Sequence, residues 1–141
     1  MMTSATEFQL MEHFALTSRL ALEEICARLA QVLETSSFAF DSEKDTRWAE
    51  ARAGRFVINV SCPYEDGTLQ EWDESVPAGA TVAVTVGVPM GESCDGPQWS
   101  LRELVPRFGR AIASALETTV IHHRTWTGAG KNIPRHDAYF T

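Results

Sequence analysis

The sequence predicts an α+β fold: one domain whose mainly antiparallel sheet carries two amphipathic helices on one face, in the order β-α-β-β-β-β-α-β. Three observations carry this expectation. Leu22, Ile25, Cys26, Leu29, Val32 and Leu33 recur at helical spacing. Leu101, Leu104, Val105, Phe108, Ile112, Ala115 and Leu116 form a second such stripe. Between them lie short β-branched runs that alternate with period two, and strands running in hairpins between two helices fit a sheet covered on one side.

Taken in order, Phe14-Ala15-Leu16 suits a first strand. The helix over 22–34 follows, with Glu23 and Glu24 in its first turn complementing the positive end of the helix dipole. Phe38-Ala39-Phe40 reads as a short strand, and Arg47 to Ala51 as another. A tight turn at Ala53-Gly54 leads into Arg55 to Cys62, where Phe56, Ile58 and Val60 share one face. Pro63 to Gly79 is expected to be a long loop. Thr81 to Val88 is a strand with Val82, Val84, Val86 and Val88 pointing one way. Ser100 and Glu103 have the spacing of a capping box at the start of a helix over 100–118. Pro106 lies too deep for a first turn, so a kink or restart is expected there. Val120 to Trp126 is a last strand, and 127–141 is expected to be an irregular tail.

A chain of 141 residues, 44% hydrophobic and 22% charged, fits a single globular domain over 1–141. The opening MMTSATEFQLMEHF has no basic segment ahead of an apolar run, so no secretory signal is expected. No stretch approaches the ~20 apolar residues of a membrane helix. Cys26, Cys62 and Cys94 are widely spaced and odd in number, which fits reduced thiols and a cytoplasmic location.

Chemical motifs fall short. Thr125 to Asn132 ends in Gly130-Lys131, but a phosphate-binding loop needs Gly at 125 and Ser or Thr at 132. Asp41, Glu43 and Asp45 imitate the first ligands of a calcium loop, yet Thr46 stands where Gly is required and Arg52 where a bidentate Glu is. His122 and His123 are neighbours on a strand, face opposite sides and cannot chelate one ion together. Gly91-Glu92-Ser93-Cys94-Asp95 fails the nucleophile elbow at its fifth position. No catalytic residue, cofactor or metal ligand is expected.

Charge carries the stronger signal. Between Arg55 and Arg102 there is no lysine or arginine, yet seven carboxylates: Glu65, Asp66, Glu71, Asp73, Glu74, Glu92 and Asp95. The other twelve acids are matched by the chain's twelve bases, so this stretch accounts for the net charge of -7. Five of the seven sit in Pro63 to Gly79, interleaved with Tyr64 and Trp72. Aromatic anchors supply buried area while charge steers encounter, so Tyr64, Glu65, Asp66, Glu71, Trp72, Asp73 and Glu74 are the candidate contacts for a basic partner. The alternative is a solvated loop whose Trp72 folds back onto the core. Binding to nucleic acid is not expected, because phosphate contacts need clustered Lys and Arg.

Phe14-Ala15-Leu16-Thr17-Ser18 leading into a helix, the Leu22-Glu23-Glu24-Ile25 helix start, and Arg124-Thr125-Trp126 with Asn132-Ile133-Pro134-Arg135 at the close form a pattern over most of the chain. It resembles the small cytosolic immunity proteins of bacterial toxin–immunity systems. The resemblance implies a non-enzymatic inhibitor that occludes the active site of a cognate toxin domain, with a basic nuclease fitting the acidic stretch. A small enzyme or ligand-binding domain with a pocket between helices and sheet, or an acidic adaptor or chaperone, are the other readings.

Overall fold

Seven antiparallel strands form one sheet in the order β2-β3-β4-β5-β1-β6-β7. The computed structural model describes residues 7–128 and 132–140. Its elements are β1 (Phe8–Leu16), α1 (Leu22–Leu33), β2 (Ala39–Ser42), β3 (Thr46–Ala53), β4 (Phe56–Pro63) and α2 (Thr68–Trp72). They continue with β5 (Val82–Pro89), α3 (Pro97–Trp99), a π-helical turn at Ser100–Leu104, α4 (Val105–Leu116), β6 (Val120–Thr127) and β7 (Asn132–Tyr139).

The core lies between one sheet face and the pair α1 and α4. Period-two alternation sends Phe14, Ile58, Val60 and Val84 into it, where they meet Ile25, Leu29, Phe108 and Ile112 from the helices. Burying such side chains is worth about 1.5–3 kcal/mol each relative to exposure, which is what holds both helices to the same face. The expected α+β architecture is therefore present, with all strand pairs antiparallel.

Five expectations need correction. The segment 127–141 is not an irregular tail, because Asn132–Tyr139 pairs along β6 as an edge strand. An edge strand shows water most of its side chains and tolerates Pro134, Arg135 and Asp137, so it lacks the apolar alternation of an inner strand. Gly130 and Lys131 of the loop-like run lie outside the described residues. The first strand begins at Phe8 rather than Phe14, since a buried charged residue, Glu12, interrupts its apolar pattern. Val32 is 46% exposed although it sits in the α1 stripe, while Leu22, Ile25, Cys26 and Leu29 are buried.

The second helix departs from a simple capping box. It opens at Pro97, so Ser100 lies inside the helical run and its side chain makes no cap bond. The Val105 amide reaches five residues back to the Ser100 carbonyl, and Pro106, which has no amide hydrogen to give, stands in the first turn of α4. The expected restart at Pro106 thus takes the form of a π turn handing over to α4. The segment read as a loop between β4 and β5 also contains a short helix, α2.

Candidate functional site

The sheet face opposite α1 and α4 is only partly covered. Residues 64–80 fold back across it, and Leu69, Val76 and Ala80 bury against Ala15 of β1. Gly67 holds φ at +91° just before α2, a left-handed conformation that costs Gly little and other residues more. Beyond it, the Gln70 side-chain amide donates to the carbonyls of Pro77 at 2.8 Å and Ala80 at 3.1 Å. These contacts turn a polar, Gly- and Pro-bearing sequence into a fixed platform.

Two arginines distant in sequence fold onto it. Arg124 of β6 donates to Asp73 Oδ2 through Nε at 2.9 Å and Nη2 at 2.8 Å. Arg19 forms a two-pronged pair with Asp66, both contacts at 3.1 Å. The stretch that carries a single charge sign in sequence is therefore not single-signed in space. Asp66 and Asp73 are neutralised, and Glu65, Glu71 and Glu74 remain exposed without such a partner among the described residues. Glu92 and Asp95 belong to the opposite end of the sheet, because β4 and β5 are antiparallel neighbours.

Both predicted aromatics reach water. Tyr64 is 57% exposed and Trp72 is 52% exposed. With Lys44, Asp45, Glu65 and Glu71 they line a groove of about 220 Å³. The inner side of Trp72 borders a smaller cavity of about 150 Å³, shared with His13, Ser61, Leu69, Asp73 and His123. So Trp72 neither folds back onto the core nor stands free, and the seven candidate residues occupy one platform in two roles.

Beneath the platform, Asp73 Oδ1 accepts from the Ser75 amide at 3.0 Å and the Ser75 hydroxyl at 2.7 Å. With that proton committed, Ser75 Oγ accepts from His123 Nδ1 at 2.8 Å. Burial pushes the Asp73 carboxyl up, but hydrogen bonds from Ser75 and the Arg124 guanidinium outweigh it and hold the pKa at about 2. Burial pushes His123 down to about 4, an effect that nearby Asp73 only partly offsets. Burial together with the Arg124 charge lowers His13 to about 3. A serine, a histidine and an aspartate thus meet, but the serine stands between the other two. In an acyl-transfer triad the histidine bridges serine and acid and takes the serine proton. Here the serine hydroxyl donates to the carboxylate instead of to the histidine, so the arrangement stiffens the platform.

His122 and His123 point to opposite faces, as alternation requires. His122 is fully buried on the helix side, with Nε2 2.7 Å from Glu12 Oε1. Among the described residues, no group of three or more His, Cys, Asp or Glu side chains is placed to hold a metal ion. Arg19, His123 and Arg124 were invisible as platform residues in the sequence, because their partners Asp66, Ser75 and Asp73 lie 47, 48 and 51 residues away and only folding joins them. Among the described residues, no helix is long and apolar enough to cross a membrane.

The fold and platform define an α+β domain with one sheet face closed by helices and the other partly open. No family model, curated protein or solved structure matches the chain.

Proposed function

We propose that the protein is a binding module which neutralises a basic protein partner, the cognate toxin domain of a bacterial toxin–immunity pair, by docking it on the 64–74 platform. One observation carries this reading. Tyr64 and Trp72 are half-exposed on a segment that is itself pinned by buried Leu69 and Val76 and by the Asp73–Arg124 pair. An aromatic side chain held in place loses little conformational freedom on binding, so more of its buried area appears as affinity. Glu65, Glu71 and Glu74 supply the unpartnered charge that attracts a basic surface and speeds encounter. Asp66 and Asp73 act by shaping the segment, since their charges are already satisfied by Arg19 and Arg124. Covering a nuclease active site in this way blocks its substrate without any chemistry by the inhibitor.

The test is direct. The purified chain is mixed with a basic toxin domain sought among its neighbouring genes, complex formation is followed by light scattering, and toxin activity is assayed in the same samples. A one-to-one complex with loss of activity supports the reading. Co-existence of free chain and fully active toxin at micromolar concentration rejects it.

A further inference from the structure

Four arginines converge at the other end of the sheet. Arg55 follows the Gly54 turn into β4, and Arg102, Arg107 and Arg110 come from the π turn and α4. With Trp99 and Glu103 they line a cavity of about 400 Å³ between α4 and the start of β4. Small-molecule sites occupy about 300–1,000 Å³, so the volume suits a compact ligand.

The cavity is built, and its winding contributes. In a π turn the backbone bonds join residues five apart, which draws Arg102 toward the side of the helix that bears Arg107. Arg107 and Arg110 are three apart in α4 and share a face. Arg55 is held from outside the helix. Its guanidinium lies 5.1 Å from the Phe56 ring centre and 5.2 Å from that of Trp99, and Nη1 donates to the Ser93 carbonyl at 2.6 Å. The Phe56 and Trp99 rings stack at 6.5 Å, which fixes the floor beneath it.

Its charge runs against the rest of the molecule. The chain carries a net -7, yet here four guanidinium groups face one carboxylate, Glu103. Among the described residues none of the four is in an ion pair, whereas five of the other six arginines are, all but Arg52. Four like charges with a single counter-charge repel, and an anion in the cavity relieves that repulsion. The guanidinium fork matches two oxygens of one phosphate, and several forks around one cavity favour a multiply charged anion over a monovalent one. Arg102, Arg107 and Arg110 are close in sequence, but Arg55 stands 47 residues before the first of them across a stretch with no base at all, so only folding completes the cluster.

We infer that this cavity binds a small phosphate-bearing molecule. The site is independent of the 64–74 platform, which leaves the opposite end of β4. Its arginines converge on one cavity, which favours a compact ligand over a nucleic-acid backbone.

Titration calorimetry on the full chain with sodium pyrophosphate, at constant ionic strength, tests the inference. A saturable one-to-one heat is expected. Arg102→Gln and Arg110→Gln should each weaken binding by about tenfold, the loss expected when one charge-assisted hydrogen bond is removed. Arg28→Gln, remote from the cavity, should bind as the parent does. Both cavity arginines are exposed, so unchanged melting temperatures will show that these variants fold. No saturable heat, equal binding of sodium sulfate, or full binding by both variants overturns the inference. A single-stranded oligonucleotide that binds far more tightly than pyrophosphate, and loses affinity in the same variants, also overturns it in favour of a polymer backbone.

Discussion

The Ser100 hydroxyl donates to Glu12 Oε2 at 2.5 Å in the interior, across 88 residues of sequence, and neither residue is exposed at all. The other carboxylate oxygen accepts from His122 Nε2 at 2.7 Å and from the Thr125 hydroxyl. One acid thus joins β1, β6 and the π turn. Buried polar groups of this kind retain their desolvation cost wherever an atom is left unpaired, as His122 Nδ1 is, so the bonds to Glu12 carry what the network contributes.

Removing the hub should therefore cost more than removing a spoke. Glu12→Ala leaves three polar groups without their acceptor and should cost about 3–5 kcal/mol. Ser100→Ala removes one donor and should cost about 1–3 kcal/mol. Urea unfolding monitored by tryptophan fluorescence measures both. A cost below about 1 kcal/mol for Glu12→Ala would mean the network contributes no net stability.

The second prediction concerns β7. A Cβ placed on Gly109 would come within 2.5 Å of the Tyr139 ring, so a bare backbone lets the edge strand dock on α4. Elsewhere in a helix interior, Gly→Ala stabilises by roughly 0.5–1 kcal/mol. Gly109→Ala should instead destabilise and speed amide exchange along β7, while β4 and β5 stay protected. A stabilised variant with slow β7 exchange would show that Tyr139 is not anchored there.

These two sites mark where the sequence was readable and where it was not. The α1 and α4 stripes and the alternation in β4 and β5 are local patterns with periods fixed by backbone geometry, so they were legible without a structure. The first half of β1 was hidden because Glu12 finds its three partners far along the chain, and β7 because edge strands need few apolar residues. Tyr64 and Trp72 were recognisable from composition beside the acids. The pairing of Asp66 and Asp73 with Arg19 and Arg124 was not, since charge counted along a chain ignores what folding brings alongside. The four-arginine cavity was missed for the same reason.

Acid should destabilise the platform in two stages. His13 and His123 titrate near 6.5 when unfolded but at about 3 and about 4 in the fold, so below pH 6.5 the unfolded chain takes up protons that the native one does not. Stability then falls as pH drops through that window, and these histidines contribute no slope above it. Asp73 adds a second loss between its ordinary 3.8 and about 2, where protonation releases Arg124 and Ser75. Denaturant midpoints from pH 7 to 4 should decline, and His123→Gln should decline less steeply. An identical pH profile for that variant would remove His123 from the account.

The remaining prediction separates steering from anchoring on the platform. Glu65, Glu71 and Glu74 are exposed and unpaired among the described residues, so they act through space on an approaching partner. Replacing all three by glutamine should slow association with the basic toxin domain and leave dissociation nearly unchanged. Raising salt from roughly 50 to 500 mM should slow association of the parent chain, because the screening length shortens, and should affect the triple variant much less. Trp72 works by contact. Trp72→Ala should accelerate dissociation and cost about 2 kcal/mol or more of binding, with the association rate little altered. Asp73→Asn is a necessary comparison, since it breaks the Arg124 clamp without touching the exposed aromatics. It should weaken binding by loosening the segment, and its effect should overlap with that of Trp72→Ala rather than add to it. Stopped-flow association and surface-immobilised dissociation measure each rate separately. If the triple glutamine variant and Trp72→Ala both leave these rates and the toxin's inhibition unchanged, the 64–74 platform is not the contact surface.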